Sequence, residues 1–433
     1  MNPNLQHHTR VAVRRGAVVG RRDFLRTATL ASLGASSLNL TDVLTASAGE
    51  LRKRGKACIL LWMQGGPSQF ETFSPKPNHR FGGGTKAIST AVPGIEYAEN
   101  LPECAKVADQ LAVIRSMTSR EGNHQRATFL LHHGYLPMGG VKFPTLGSNV
   151  AHQIGDDDLA LPSYVRVGRR LANGGSGGFL GVEYDPLELN SAKRPPDNTV
   201  PPFSEKRFER RLSLLNRLGG AFHANGGSEA AADHRKLVDR AVGMVTSPEM
   251  EAFDLAKEPD ASHELYGEGD FASGCLLARR LVERGVPFVE VVSPGWDTHQ
   301  DNFNQVGELA ARVDRPTAAL VADLHDRGLL DDTLVVWMGE FGRTPQINGR
   351  SGRDHFPRAF NAVLAGGGVR GGQVVGATNE GGNEVTDRPV LVEDLFRTIY
   401  HALGIDADHE NISRIGRPIK LVEGGAVVQE LFG

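Results

Sequence analysis

The chain has 433 residues, 40% of them hydrophobic and 23% charged. That balance excludes an intrinsically disordered chain and suffices for one large α/β domain with insertions, or for two domains. The net charge is −3 and no run of about 18 uninterrupted apolar residues occurs, so no membrane span is expected in the mature chain.

The N-terminal segment differs from the rest. Arg21 and Arg22 are followed by Asp23, Phe24, Leu25 and Arg26, then by a weakly hydrophobic stretch rich in Ala, Ser, Thr and Leu. Ala46-Ser47-Ala48 follows as a small-residue cleavage site. This pattern resembles a twin-arginine export signal, which implies a signal peptide over residues 1–48 and a periplasmic or extracellular protein. The leader carries six Arg and two Asp, which leaves about −7 on the remainder. An acidic body is a poor partner for nucleic acid, whose binding rests on neutralising phosphate charge.

The body, residues 49–433, opens with "ACILLWMQGG", which reads as a buried strand ending in a glycine turn. "LAVIRSM" is a second strand, and "HQRATFLLHHG" a helix stopped by Gly134. "TLGSNVAHQIG" is a short helix and "SYVRVG" a strand. Residues from about 202 to 262 are amphipathic and helical, which predicts a helical insertion packed on the sheet. Then "FASGCLLARRLVERGV" is a helix, "PFVEVVS" a strand and "NFNQVGELAARVDRPTAALVADLHDRGLL" a long helix. "TLVVWMG" and "FNAVLAGGG" are strands, and "LVEDLFRTIYHALGI" is a closing helix. Strands alternating with helices predict a mostly parallel sheet covered on both faces. The three cysteines show no CxxC spacing, which argues against a thiolate zinc site or a disulfide framework. Cys58 and Cys275 read as small buried hydrophobes.

Sites in open α/β sheets form at the carboxyl ends of strands. Four such places carry polar residues: Gln64 and Ser68 in "QGGPSQF", His124 in "EGNHQR", Asp297 and His299 in "GWDTHQ", and Glu340 and Arg343 in "GEFGRTP". Asp354 and His355 follow shortly after the last of these. Asp297 and His299 stand two apart in an extended segment, so both side chains point the same way. His132 and His133, mid-helix, read as packing or surface residues. A helix N-terminus favours an anion through its free N–H groups, so His124 is a candidate nucleophile, general acid or extra metal ligand. Ser68 is an alternative nucleophile in a Gly-Gly-Pro-Ser turn.

The motifs "LLWMQGGPSQFETFSPKP", "PGWDTHQDNF", "VVWMGEFGRTPQING", "GRDHFPRAFNAVLAGGGVRGGQVVGAT" and "VEDLFRTIYHALGI" resemble the family known as the domain of unknown function 1501. That family is similar to the alkaline phosphatase and sulfatase superfamily. The resemblance implies a three-layer α/β sandwich with Asp and His ligands to one or two divalent metals beside a nucleophile. By it, Asp297, His299 and His355 resemble the ligands of one metal. Glu340 stands in the place of an Asp of the second metal, Phe341 in the place of its His, and Gln64 in the place of the first strand's Asp. Phe cannot ligate, while the Gln64 amide oxygen can coordinate a hard cation but carries no charge, so Gln64 and Glu340 stay candidate ligands and one ion is expected: zinc, calcium or manganese. Arg343 is expected to face the substrate anion, because its fork suits an oxyanion. Glu340 is expected to orient water, act as a base or join the metal. The expected function is hydrolysis of a phosphate or sulfate ester. The competing reading is a catalytically silent scaffold of the same fold. A role on sulfated glycans finds no support in an aromatic pattern, with 3 Trp and 6 Tyr.

Overall fold

A computed structural model describes residues 55–433 except 157, 169–170, 172–174, 198, 200–203 and 225–228. The export signal read over residues 1–48 lies outside the described residues. No helix among the described residues is long and apolar enough to cross a membrane.

The central sheet has nine strands. In chain order they are β1 (Ala57–Gln64), β2 (Ala112–Thr118), β3 (Tyr164–Val167), β4 (Leu187–Leu189), β5 (Phe288–Pro294), β6 (Thr333–Met338), β7 (Phe360–Ala365), β8 (Gln373–Val375) and β9 (Val390–Leu391). Their spatial order is β8-β2-β7-β6-β1-β5-β3-β4, with β9 also pairing β2. β1 lies at the centre, parallel to β5 on one side and to β6 on the other. Its run from Ala57 to Met63 is buried throughout, as expected for a strand covered on both faces.

The strand period of two divides that run between two cores. Ile59, Leu61 and Met63 join one apolar cluster, together with helices α5 (Asp270–Glu283) and α6 (Asn302–Asp326) through residues such as Leu276 and Val313. Cys58, Leu60 and Trp62 join the other, together with α1 (His124–His133), α2 (Leu146–Ile154) and α7 (Val392–Ala402) through Leu131, Val150 and Phe396. The result is the expected three-layer sandwich. Two further helices, α3 (Glu205–Ala224) and α4 (Glu229–Thr246), fall in the segment read as a helical insertion. All three cysteines are buried and free.

The sheet is mostly parallel, as the motif rhythm suggested, with one strand reversed. β7 runs antiparallel to both of its neighbours, β2 and β6. The cause is the connection. Residues 339–359 leave β6 and return without a crossover helix, and a parallel return would need one. That excursion is pinned by a two-residue ladder in which Arg343 pairs with His355 and Gly342 with Phe356.

Candidate metal centre

The carboxyl ends of β1, β2, β5 and β6 converge. β1 runs into Gly65, whose φ of +120° suits glycine. A Cβ there would stand 2.4 Å from the Asp297 nitrogen, so the approach of the two chains requires this residue. The peptides around Gly65 bind two other segments, the one after β6 and the one after β5. The Gly65 N–H donates to Glu340 Oε1 and Oε2 at 3.0 and 3.1 Å. Its carbonyl accepts from Arg343 Nη2, and the Gly66 carbonyl accepts from Arg343 Nε at 2.8 Å. The preceding Gln64 carbonyl accepts the Trp296 N–H at 3.0 Å.

Four side chains meet in front of this turn. His124, Asp297 and His355 place one donor atom each within 4.8 Å of one another. His124 Nε2 and His299 Nε2 each lie 3.2 Å from Asp297 Oδ1, and His355 Nε2 lies 3.5 Å from it. His299 Nε2 and His355 Nε2 are 2.9 Å apart. On the far side of each ring, Nδ1 faces a group able only to accept. For His124 this is Glu340 Oε1 at 2.7 Å, for His299 Asp354 Oδ1 at 2.9 Å, and for His355 the Gly122 carbonyl at 2.8 Å. Each neutral ring therefore keeps its proton on Nδ1 and turns an Nε2 lone pair towards Asp297. Two such lone pairs facing each other at 2.9 Å repel unless a cation or a proton joins them. The His124 Nε2 atom is buried and makes no hydrogen bond.

Charge points the same way. Asp297, Glu340 and Asp354 bring three carboxylates to the rings, and Arg343 pairs directly with one of them, Asp297. Burial disfavours the charged form of His124, yet Asp297 and Glu340 outweigh it and push its pKa up to about 9. Burial alone would raise the Asp297 carboxyl, but the imidazoles of His124 and His355 and the Arg343 guanidinium beside it hold it well below the usual carboxylate range.

Other expected site residues occupy different places. Arg343, read from the sequence as facing the substrate anion, has a fully buried guanidinium. Its donors go to the Gly65, Gly66, Trp296 and Arg353 carbonyls and to Asp297 Oδ1 at 2.7 Å, which leaves no free fork for a substrate. Glu340 is buried, and its oxygens are taken up by His124 and by the Gly65 N–H. It orients the imidazole in the manner of a carboxylate behind a metal-binding histidine. No hydrogen bond joins the Gln64 amide to the cluster, and the buried Ser68 hydroxyl has no partner. His132 and His133 are both buried, so neither is a surface residue. His132 Nε2 meets Glu290 Oε1 at 3.0 Å inside the sandwich.

The sequence reading missed two features. Arg353 is fully buried against Glu71, with Nη2–Oε1 at 2.8 Å and Nε–Oε2 at 3.1 Å, and its N–H reaches the Thr298 carbonyl at 3.1 Å. This pair fastens the excursion to the segment bearing Asp297 and His299. Asp354 holds the His299 ring. Adjacency to His355 was its one signal in the sequence. Phe341 packs its ring 4.8 Å from that of His124 and 4.7 Å from that of His355, and so walls off one side with carbon. A cavity of about 690 Å³ opens beside His124 and His355 at the start of α1.

None of the curated proteins matches the chain. Several solved structures align with it over most of its length. The PsFucS1 sulfatase from Pseudoalteromonas sp. has 16% identity and a TM-score of 0.39, over 83% of this chain and 70% of that one. A protein in the alkaline phosphatase superfamily from Vibrio parahaemolyticus has 12% identity and a TM-score of 0.39, over 82% of this chain and 67% of that one. The phosphonate monoester hydrolase SpPMH from Silicibacter pomeroyi has 13% identity and a TM-score of 0.35, over 87% and 76%. At such distances neither a ligand nor a reaction is carried over. A family profile, by contrast, matches residues 55–432, nearly the whole described chain, and the protein belongs to that family, described as protein of unknown function DUF1501.

Proposed function

We propose that this protein is an exported metal-dependent hydrolase of a phosphate or sulfate ester, with one divalent ion held by His124, Asp297 and His355 and with His299 as a further donor beside them. One observation carries the reading. Three imidazoles whose Nδ1 atoms each face an acceptor aim their Nε2 atoms at a single carboxylate oxygen. Imidazole and carboxylate donors suit zinc or a similar borderline ion. The Phe341 ring supports one ion rather than two, since it offers no donor on its side of the cluster.

The chemistry such an ion supplies is polarisation of an ester oxygen and activation of water. The chain's own residues do the rest. Glu340, Asp354 and the Gly122 carbonyl fix the tautomer and tilt of the three rings. Arg343 holds Asp297 in its ionised form and keeps its Oδ1 in place. Buried Trp296 and Phe341 exclude water from the protein side of the site. Ser68, with its hydroxyl walled in, is not assigned the nucleophile's part, and His124 is assigned to the ion.

The test uses the purified protein and a panel of phosphate and sulfate esters. His355→Ala and Asp297→Asn are expected to lower both bound metal and hydrolysis at least tenfold, with folding unchanged by circular dichroism. Full metal content with lost hydrolysis would exclude this ligand set. A metal-free wild type inert towards the whole panel would leave the silent scaffold.

A further inference from the structure

The cavity beside the cluster is unusual in its lining. Binding pockets are mostly apolar with a few polar groups. This one is lined by polar side chains and one glycine, with no aliphatic residue; its rings are the imidazoles of His124 and His355, which belong to the cluster, and the wall away from them carries only charged and amide groups. Two guanidiniums lie on that wall, and their states differ. Arg126 is gripped by Glu121, Nε to Oε2 at 2.7 Å and Nη2 to Oε1 at 3.1 Å. Glu121 Oε1 also accepts the Asn123 N–H at 3.0 Å, so this acid and its arginine satisfy each other. Arg120 is exposed and has no hydrogen-bond or ion-pair partner among the described residues. Its backbone is nonetheless braced, because the neighbouring Ser119 N–H donates to the Pro357 carbonyl at 2.8 Å.

Since Arg343 is fully buried behind Asp297 and Arg126 is paired with Glu121, Arg120 is the guanidinium on this wall left open to an incoming anion. A guanidinium presents parallel N–H groups that match two oxygens of a tetrahedral oxyanion. Resting on the ester reading above, we propose that Arg120 grips the non-bridging oxygens of the ester, and that the wall beside it selects a hydrophilic, hydroxyl-bearing alcohol over an aryl or lipid one. The exposed Gln125 amide and the Glu121–Arg126 pair offer hydrogen bonds to hydroxyl groups. They offer no surface to an aromatic ring, whose burial would strip water from charged groups without replacing their bonds.

The experiment is calorimetric titration of inorganic phosphate, and separately of sulfate, into metal-loaded full-length protein, with metal content measured on the same samples. The loss of one charge-assisted contact predicts that Arg120→Gln binds the preferred anion about tenfold or more weakly at unchanged metal content. Arg120→Lys, which keeps the charge without the fork, is expected to fall between the two. Glycerol phosphate is expected to bind at least as tightly as phenyl phosphate. Equal anion affinity in wild type and Arg120→Gln, or a wild type that binds neither anion, overturns the role of Arg120. Phenyl phosphate bound tenfold more tightly overturns the selection by the wall. A protein that takes up no metal sinks the function reading instead, and is seen in the separate metal measurement.

Discussion

His124 shows how one residue's protonation is set by its neighbours. With Glu340 behind its Nδ1 and Asp297 before its Nε2, the metal-free ring keeps its charge up to about pH 9 against the pull of burial. A divalent ion has to displace that proton, so binding is coupled to its release. Apparent metal affinity is therefore expected to rise with pH and to level off above about 9, as read by titration against a chelating indicator at several pH values. Affinity independent of pH between 6 and 9 would remove His124 from the ligand set. The sign for the metal-free fold is opposite. Its pKa is raised above the ordinary 6.5, so the stabilisation is fully present below that value and is lost as pH rises through about 9. Glu340→Gln keeps the shape and the acceptor but removes the charge behind the ring. Loss of such a supporting carboxylate is expected to weaken metal binding by roughly 10- to 100-fold. An unchanged affinity would make Glu340 merely a partner of the Gly65 N–H.

Among the elements, α1 ties the site to the sheet. It begins at His124 and, two turns on, sends His132 to Glu290 in the middle of β5. Glu290 is fully buried and also accepts from Arg166 Nε at 2.8 Å and from the Tyr164 hydroxyl at 2.6 Å. Burial alone would raise its carboxyl, but Arg166 and His132 outweigh this and bring it to about 2. Glu290→Ala would take the fully buried carboxylate from between Arg166 and His132, leaving Arg166 to its partly exposed partner Glu188 at 2.8 Å and to the Tyr164 hydroxyl. The expected cost is about 3–5 kcal/mol, read from the shift of a urea unfolding curve. A cost below about 1 kcal/mol would mean that the network relaxes around the gap. The long elements were legible because each signal was strong: an unbroken apolar run for β1 and β6, a 3.6-residue stripe for α6 and α7, and a left-handed Gly134 to end α1. The direction of β7 was not, since an apolar run carries no sign. Nor was the ladder at Arg343 and His355, because two residues have no period.

Across the whole molecule, the site is a convergence of segments that are remote in sequence. The β1 turn, the start of α1, the end of β5 and the excursion after β6 meet because parallel strands deliver their carboxyl ends to one rim. Arg343 and Arg353 then bind those loops together through backbone carbonyls and through Asp297 and Glu71. The candidate ligands were legible for that reason. Asp297 and His299 share a side of one extended segment, His124 starts a helix, and His355 follows a polar turn. What each arginine does was hidden, because the same residue type serves as a loop clamp at 343 and 353 and as an open cation at 120. Only burial distinguishes them. The most direct measurement is a crystal structure of protein purified without chelator, with anomalous data collected at the edges of candidate metals. The account predicts a single anomalous peak bounded by Nε2 of His124 and His355 and by Asp297 Oδ1, with His299 adjoining. No peak there, after soaking in zinc and manganese, would contradict it.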